Sequence, residues 1–148
     1  MPYLRITCPQ LDRDRQQAIA EQLTATINDL FYNPRAPITR DELRERTTVH
    51  FVPYAPGDLF VGGQTPEERG ATDLTVELSD WNMPVRQQRR VAAALTPVLA
   101  DLFHVSADHL DQINIRFHAY PPSDFAVGGR LLSDQVPRIA QLLKRLLG

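Results

Sequence analysis

Pro2 is the residue with the most distinctive chemistry in this sequence, because it directly follows Met1. Its small side chain permits methionine aminopeptidase to remove Met1, and the ring nitrogen would then become a free secondary amine. An ordinary α-amine titrates near roughly 7.7–8.0. Burial in an apolar pocket and nearby cations both disfavour the protonated form and lower that value. The chemistry that this position offers is therefore general-base proton transfer near neutral pH.

Other catalytic or metal-binding chemistries find no support in the sequence. It contains no nucleophile-elbow, phosphate-loop, dinucleotide-binding or His-Glu-x-x-His motif. The four histidines lack ligand spacing, and the single cysteine, Cys8, is placed as a small core residue at the end of an apolar strand. His50 and His118 are interpreted as structural hydrogen-bonding residues. We expect no metal and no cofactor.

Composition sets the broad class of the protein. The chain has 148 residues, 43% of them hydrophobic, with 16 basic and 18 acidic residues and a net charge of −2. This balance indicates neither a nucleic-acid nor an anionic-membrane partner. No run reaches the roughly 18 apolar residues that span a bilayer, and the first residues do not resemble a signal peptide. A cytoplasmic protein is expected.

Two strand–helix units are needed to position Pro2. Alternating apolar residues predict strands at 3–8 and 73–79. Helices are predicted near 13–31 and near 83–103, the second capped by Asn82 and kinked by Pro97.

The next element occurs twice, at a constant spacing of 66 positions. Residues 47–63 and 113–129 each contain a strand, a proline-containing turn, an aspartate and a Val-Gly-Gly triplet. Phe51 matches Phe117 at this spacing, and the glycine pairs also match. We interpret the chain as an internal duplication rather than two unrelated hairpins that share turn residues.

These elements predict an α/β (α+β) fold. Two tandem β-α-β repeats form a four-stranded sheet with two helices on one face, together with β-hairpins and an extra C-terminal helix. We expect a single domain over 1–148, with repeat 1 at about 2–70, repeat 2 at about 71–130 and the C-terminal helix at about 131–148. An insert at 33–46 is predicted to be a loop with one helical turn.

One face of this sheet is predicted to lack helices. In the strand at 113–119 the apolar residues face the helices, and Asn114, Arg116 and His118 project from the other side. A polar face of this kind borders water, a pocket or a subunit interface, so oligomerisation is expected.

The order of these features resembles 4-oxalocrotonate tautomerase. The likeness is carried by residues 2–8, the helix from about Arg13 and residues 48–63, and the copy at 73–129 resembles the same subunit again. The whole is similar to a fused, two-repeat member of the tautomerase superfamily over about residues 2–129. Such a resemblance implies a homotrimer that uses no cofactor.

The resemblance also implies site residues. Pro2 matches the catalytic amine, whereas Thr72, its counterpart in the second repeat, is internal and has no basic nitrogen. One family arginine falls on Asp12, beside Arg13, and another falls on Thr48 and Asn114, with Arg116 two residues further on the same face. The hairpin aromatic that dries the family's pocket falls on Leu59 and Phe125. The expected substrate-binding residues are Arg116, Asn114, Arg13, Phe125 and Leu59.

Three sets of residues have alternative interpretations. Arg116 is either a carboxylate clamp or part of a surface ion pair. Arg40, Arg44 and Arg46 in the insert either cover a site from a neighbouring subunit or are solvated. Tyr120 is either a proton donor or a packing residue.

The function implied is a cofactor-independent tautomerase or isomerase that moves a proton in a small oxo or enol carboxylic acid. An alternative within the same fold is a hydratase, dehalogenase or decarboxylase, in which the protonated proline is an acid and a carboxylate, such as Glu77 or Asp124, activates water. A further alternative is a non-catalytic protein that kept the fold.

Overall fold

The computed structural model describes residues 1–147, with all side chains except those of Ile139, Leu143, Arg145 and Leu147. Two short 3₁₀ turns flank the last long strand, at Ala107–Gln112 and Pro122–Asp124. The helices and strands are, in chain order, β1 Tyr3–Pro9, α1 Arg13–Phe31, α2 Arg40–Glu45, β2 Thr48–Tyr54, α3 Pro66–Arg69, β3 Leu74–Trp81, α4 Val85–Phe103, β4 Ile113–Tyr120, β5 Ala126–Val127, β6 Arg130–Leu131, α5 Leu132–Gln135 and α6 Arg138–Leu147.

The four long strands form one sheet in the order β2-β1-β3-β4. Within each repeat the two strands are parallel, as a β-α-β unit requires. The repeats meet through an antiparallel pairing of β1 with β3, in which Leu4 faces Leu78 and Ile6 faces Val76. The predicted fold is confirmed, and the two halves are joined edge to edge at the centre of the sheet.

Helices α1 and α4 cover one face of this sheet. The apolar residues of β1 and β3 are fully buried beneath them, at Leu4, Ile6, Cys8, Leu74, Val76 and Leu78. From the helices, the buried stripes recur every three or four residues, as one face of an α-helix does, at Ile19, Leu23, Ile27, Val91, Leu95 and Leu99. The hydrophobic core therefore lies between the sheet and these two helices.

The start of α4 differs from the prediction. The cap predicted at Asn82 is wrong, because the helix begins at Val85 with Pro84 as its N-cap residue. Asn82 instead adopts a left-handed backbone conformation (φ 46°), and its N–H donates to the carbonyl of Tyr120 (2.8 Å). Its position is thus set by the adjacent strand end. Helix α4 continues through Pro97 as one element.

The duplicated hairpins share the backbone conformation of their glycine pairs. Gly62 and Gly63 have φ values of 61° and 81°, and Gly128 and Gly129 have values of 58° and 78°. Positive φ is the conformation in which glycine lacks the penalty of a β-carbon. Short helices follow both hairpins at the same spacing, α3 from Pro66 and α5 from Leu132.

The other face of the sheet carries polar side chains and no helix of the described residues. Arg5 Nη1 donates to Glu77 Oε2 (3.1 Å), and the Tyr3 hydroxyl lies 2.7 Å from Nδ1 of His50. We call this surface the open face. Among residues 1–147, no helix is both long and apolar enough to cross a membrane.

Candidate functional site

Pro2 lies at the beginning of the sheet, on its helix-covered side. The side chain is buried, and the Pro2 carbonyl accepts a hydrogen bond from the Thr48 N–H (3.0 Å), which ties the chain start to β2. In the antiparallel pairing, Tyr3 faces Ser79, so the next facing pair toward the chain start is Pro2 and Asp80. Side chains alternate along a strand, and both residues therefore share the side of Leu4 and Leu78.

A cavity of about 640 Å³ opens beside this pair. Its walls come from the end of α1, the insert before α2, the beginning of α4 and the C-terminal helices. Apolar wall residues include Phe31, Trp81, Leu132 and Val136. This volume is in the range of small-molecule sites, which are mostly apolar with a few convergent polar groups.

Asp80 is the anionic group of the cavity wall. Its side chain is fully buried, and Oδ1 accepts a hydrogen bond from the Met1 α-ammonium at 2.6 Å. The second oxygen, Oδ2, accepts from the Nζ of Lys144 on α6. Lys144 Nζ also lies 4.2 Å from the centre of the Trp81 ring, a cation–π contact. A buried carboxylate is thus held between two cations, one from each end of the chain.

The ionisation of the terminal amine is shifted by this environment. Burial lowers the pKa of the Met1 α-amine below 8.0, Asp80 opposes that change, and Lys144 and Arg46 add to it. Burial likewise lowers the pKa of the Lys144 ammonium, against the attraction of Asp80. An amine with a lowered pKa at a cavity wall is suited to accept a proton near neutral pH.

Three arginines line the same cavity, Arg35, Arg46 and Arg90. The guanidinium of Arg90 donates to the carbonyl of Leu30 (2.7 Å). For the side chains of Arg35 and Arg46, no hydrogen bond or ion pair is found within the described part of the chain. The cavity is therefore cationic at its edge and equipped to bind an anionic group.

Gln87, on the first turn of α4, also lines the cavity. It is 3% exposed, and its Oε1 has no hydrogen-bond donor among residues 1–147 with described side chains. A buried carbonyl oxygen without a donor costs free energy. Gln87 therefore places an unsatisfied acceptor at the cavity wall.

The other residues predicted for the site do not line this cavity. Asn114 and Arg116 are exposed on the open face of β4, on the other side of the sheet from Asp80. Arg13 is exposed and is the first residue of α1, whereas Phe31, the last residue of that helix, lines the cavity. The helix has 19 residues, so its two ends lie roughly 28 Å apart.

The predicted hairpin residues, Leu59 and Phe125, also lie outside the cavity wall. The Phe125 ring packs against Tyr120, with 5.7 Å between ring centres. Burial raises the pKa of Tyr120 to about 12, and Asp80 adds to that rise. In one chain, Pro2 is the only predicted site residue that reaches the described cavity.

The cavity contains residues that sequence reasoning missed, namely Asp80, Trp81, Gln87, Arg90 and Lys144. For Arg46 the sequence offers two interpretations, a residue that covers a neighbouring subunit's site or a solvated residue. For Asp80 one signal was available. It is a charged residue at an apolar position of the alternating pattern in β3, where a buried ion is costly unless paired. Lys144 gave no such signal.

Among the described residues, no group of three or more His, Cys, Asp and Glu side chains is placed to hold a metal ion.

Comparison with solved structures shows which known fold the chain shares. No protein-family model matches the sequence, and no curated protein matches it. Solved structures match over nearly the whole chain at low identity. Pt0534 inactivated by 2-oxo-3-pentynoate is 14% identical with a TM-score of 0.72, and the match covers 91% of this chain and 99% of that one. A fused 4-OT, Q0, described as a symmetric trimer, is 14% identical with a TM-score of 0.71 and the same coverage.

A third match extends into the C-terminal region. N1, a member of the cis-3-chloroacrylic acid dehalogenase family, is 18% identical with a TM-score of 0.66, and the match covers 98% of this chain and 99% of that one. These likenesses confirm the predicted tautomerase-like fold of fused chains. At such identities they show the fold alone.

Proposed function

We propose that this protein is a cofactor-independent tautomerase or isomerase that moves a proton within a small oxo or enol carboxylic acid. Pro2, after removal of Met1, is the general base. The observation that carries the proposal is the position of buried Pro2 at a cavity whose wall supplies several cationic side chains. The fold that the chain shares with fused 4-OT structures supports the same chemistry.

The charge of the cavity selects the substrate class. Arg35 and Arg46 line the wall and are free of ion pairs within the described residues, so they are placed to bind a carboxylate. Phe31 and Trp81 supply apolar surface that excludes water from the reacting carbon. The unsatisfied Oε1 of Gln87 is an acceptor for a hydroxyl, which an enol has and its keto form lacks.

The reaction needs only proton transfers. The neutral Pro2 nitrogen takes a proton from the enol oxygen or from a carbon beside a carbonyl, and the electron pair left behind forms a delocalised enolate. Nearby cations stabilise the oxygen on which the negative charge develops. The resulting prolinium then returns its proton to a different atom, so no group is gained or lost.

The other predicted binding residues could reach a cavity only if a second copy of the chain is present. Arg116, Asn114, Arg13, Phe125 and Leu59 would contribute only to the cavity of a neighbouring protomer. The open face of the sheet supports assembly, and the Q0 fused 4-OT is described as a trimer. We propose a homotrimer in which each cavity takes residues from more than one protomer.

Asp80 favours a second candidate function. Hydration, dehalogenation or decarboxylation on this fold would use a protonated proline and a carboxylate that activates water, and Asp80 is a buried carboxylate at the cavity wall. The N1 structure, of a dehalogenase family, shares the fold. Asp80 Oδ2 is already bonded to the Lys144 ammonium, and Oδ1 faces the terminal amine, which makes Asp80 a weaker activator of water and places this candidate second.

Enol ketonisation tests the proposed function. Mass spectrometry first establishes whether Met1 has been removed. The processed protein is then assayed with phenylenolpyruvate, beside a Pro2→Ala variant that also permits Met1 removal but presents a primary amine. We expect the variant to lose about 100-fold in rate, within the range of general-base contributions. Equal rates for the two proteins would exclude Pro2 as the base.

A further inference from the structure

Asp80 connects the two ends of the chain. One oxygen binds the α-ammonium of the N-terminus at 2.6 Å, and the other binds Lys144 on α6. The three groups come from β3, the chain start and the C-terminal helix, so only the folded chain brings them together. Asp80 is fully buried, and isolated charges at such sites are unfavourable unless they are paired.

Removal of Met1 would leave the new terminal amine, that of Pro2, close to the position that the Met1 amine occupies. Three covalent bonds separate the two backbone nitrogens, which places them at most about 3.7 Å apart. Pro2 also faces Asp80 across the β1–β3 pairing, on the same side of the sheet. A prolyl amine at that position lies within the few ångströms over which single charges strongly affect ionisation.

We propose that Asp80 and Lys144 are a positioning pair for the N-terminal amine. The carboxylate holds the amine at the cavity wall, and the ammonium neutralises the carboxylate so that the amine is not kept permanently protonated. Lys144 reaches this position because α6 contributes to the cavity wall. Its ammonium is also stabilised there by the cation–π contact with Trp81. The inference rests on the proposed function, in which the terminal amine is the base.

The surrounding charges make the effect of each partner predictable. Besides Asp80 and Lys144, Arg46 acts on the terminal amine from the residue after α2. Arg35 and Arg90 line the same cavity. Tyr120 on β4 is near Asp80 and stays neutral, since burial raises its pKa to about 12. Removing Asp80 therefore leaves an excess of cations around the amine, and removing Lys144 leaves an unbalanced anion.

The experiment measures the titration of the terminal amine itself. Mass spectrometry identifies the terminal residue, which is labelled with ¹⁵N, and its nitrogen shift is followed against pH in the wild type, Asp80→Asn and Lys144→Met. We expect the pKa of the amine to fall by roughly one unit in Asp80→Asn and to rise by roughly one unit in Lys144→Met. The double variant should lie between the two.

Lys144→Arg is the matched control, because it keeps the charge and should keep the wild-type titration. If Asp80→Asn does not fold, the comparison of Lys144→Met with Lys144→Arg carries the test. An amine pKa that is the same in all folded variants, or that moves in the same direction in both single variants, overturns the proposal. This readout needs no turnover, so it is separate from any failure to ketonise an enol.

Discussion

The α-nitrogen of Met1 lies 2.6 Å from Oδ1 of Asp80, although 79 positions separate the two residues in sequence. This contact places the terminal amine of the chain in a buried, charged environment at the wall of a cavity.

The rate of enol ketonisation should rise with pH along a limb centred below 8.0. A general base must be neutral. Burial lowers the pKa of the Met1 α-amine below 8.0, and we expect burial to act in the same direction on the Pro2 amine that replaces it as the terminus. Below this pKa the rate should fall about tenfold per pH unit, and above it the rate should be constant. Steady-state kcat/KM measured from pH 5 to 9 gives the profile. A rate that instead falls as the amine deprotonates would identify a proline that acts as an acid and would favour the second candidate function.

Arg46→Ala should weaken the reaction of a carboxylate substrate. A charge-assisted hydrogen bond contributes about 1.5–3 kcal/mol, which corresponds to at least a tenfold loss in kcat/KM. Arg44→Ala is the matched control, because Arg44 is an exposed residue of α2 that does not line the cavity. Equal effects of the two substitutions would show that Arg46 has no specific contact with the substrate.

Gln87→Leu should change stability and activity in opposite directions. Removing a buried, unsatisfied carbonyl oxygen stabilises the fold by about 1 kcal/mol, whereas losing an acceptor for the ligand lowers kcat/KM. Thermal unfolding and steady-state kinetics measure the two effects. Gln88→Leu is the control, since its Nε2 donates to the Met83 carbonyl (3.1 Å), and its loss should destabilise the fold without affecting the rate. Unchanged activity in Gln87→Leu would contradict a ligand contact.

Trp81 should report ligand binding by its fluorescence. It is the single tryptophan of the sequence, lines the cavity and contacts the Lys144 ammonium. Titration with a small oxo acid should change its emission with a saturable dependence on concentration. The signal should disappear in Trp81→Phe, and a substrate that turns over without any change in emission would place binding elsewhere.

Complementation should show whether Arg116 acts on a neighbouring protomer. Arg116 lies on the open face, whereas the cavity of its own chain is on the other side of the sheet. Arg116→Ala and Pro2→Ala are each expected to be impaired. Refolding the two together should restore part of the activity, because some sites in mixed trimers then combine an intact Pro2 with an intact Arg116. Mixtures no more active than the separate variants would remove Arg116 from the site.

Much of the fold followed from the sequence because its signals are local or repeated. The alternation of Leu4, Ile6 and Cys8 predicts a strand with one buried side, and the glycine pairs at 62–63 and 128–129 predict two equivalent turns. Both features are present. Asn82 shows where local rules fail, since a residue typical of helix caps is held by the end of strand β4 instead.

Within the candidate site, the sequence by itself determined the strand that follows Pro2. The tertiary structure alone decided what surrounds it. Asp80 and Lys144 are 64 positions apart and meet only because the sheet and the C-terminal helix pack together. A sequence pattern does not predict this ion pair. Its formation depends on the distance between the two side chains in the folded protein and on the exclusion of water from the site.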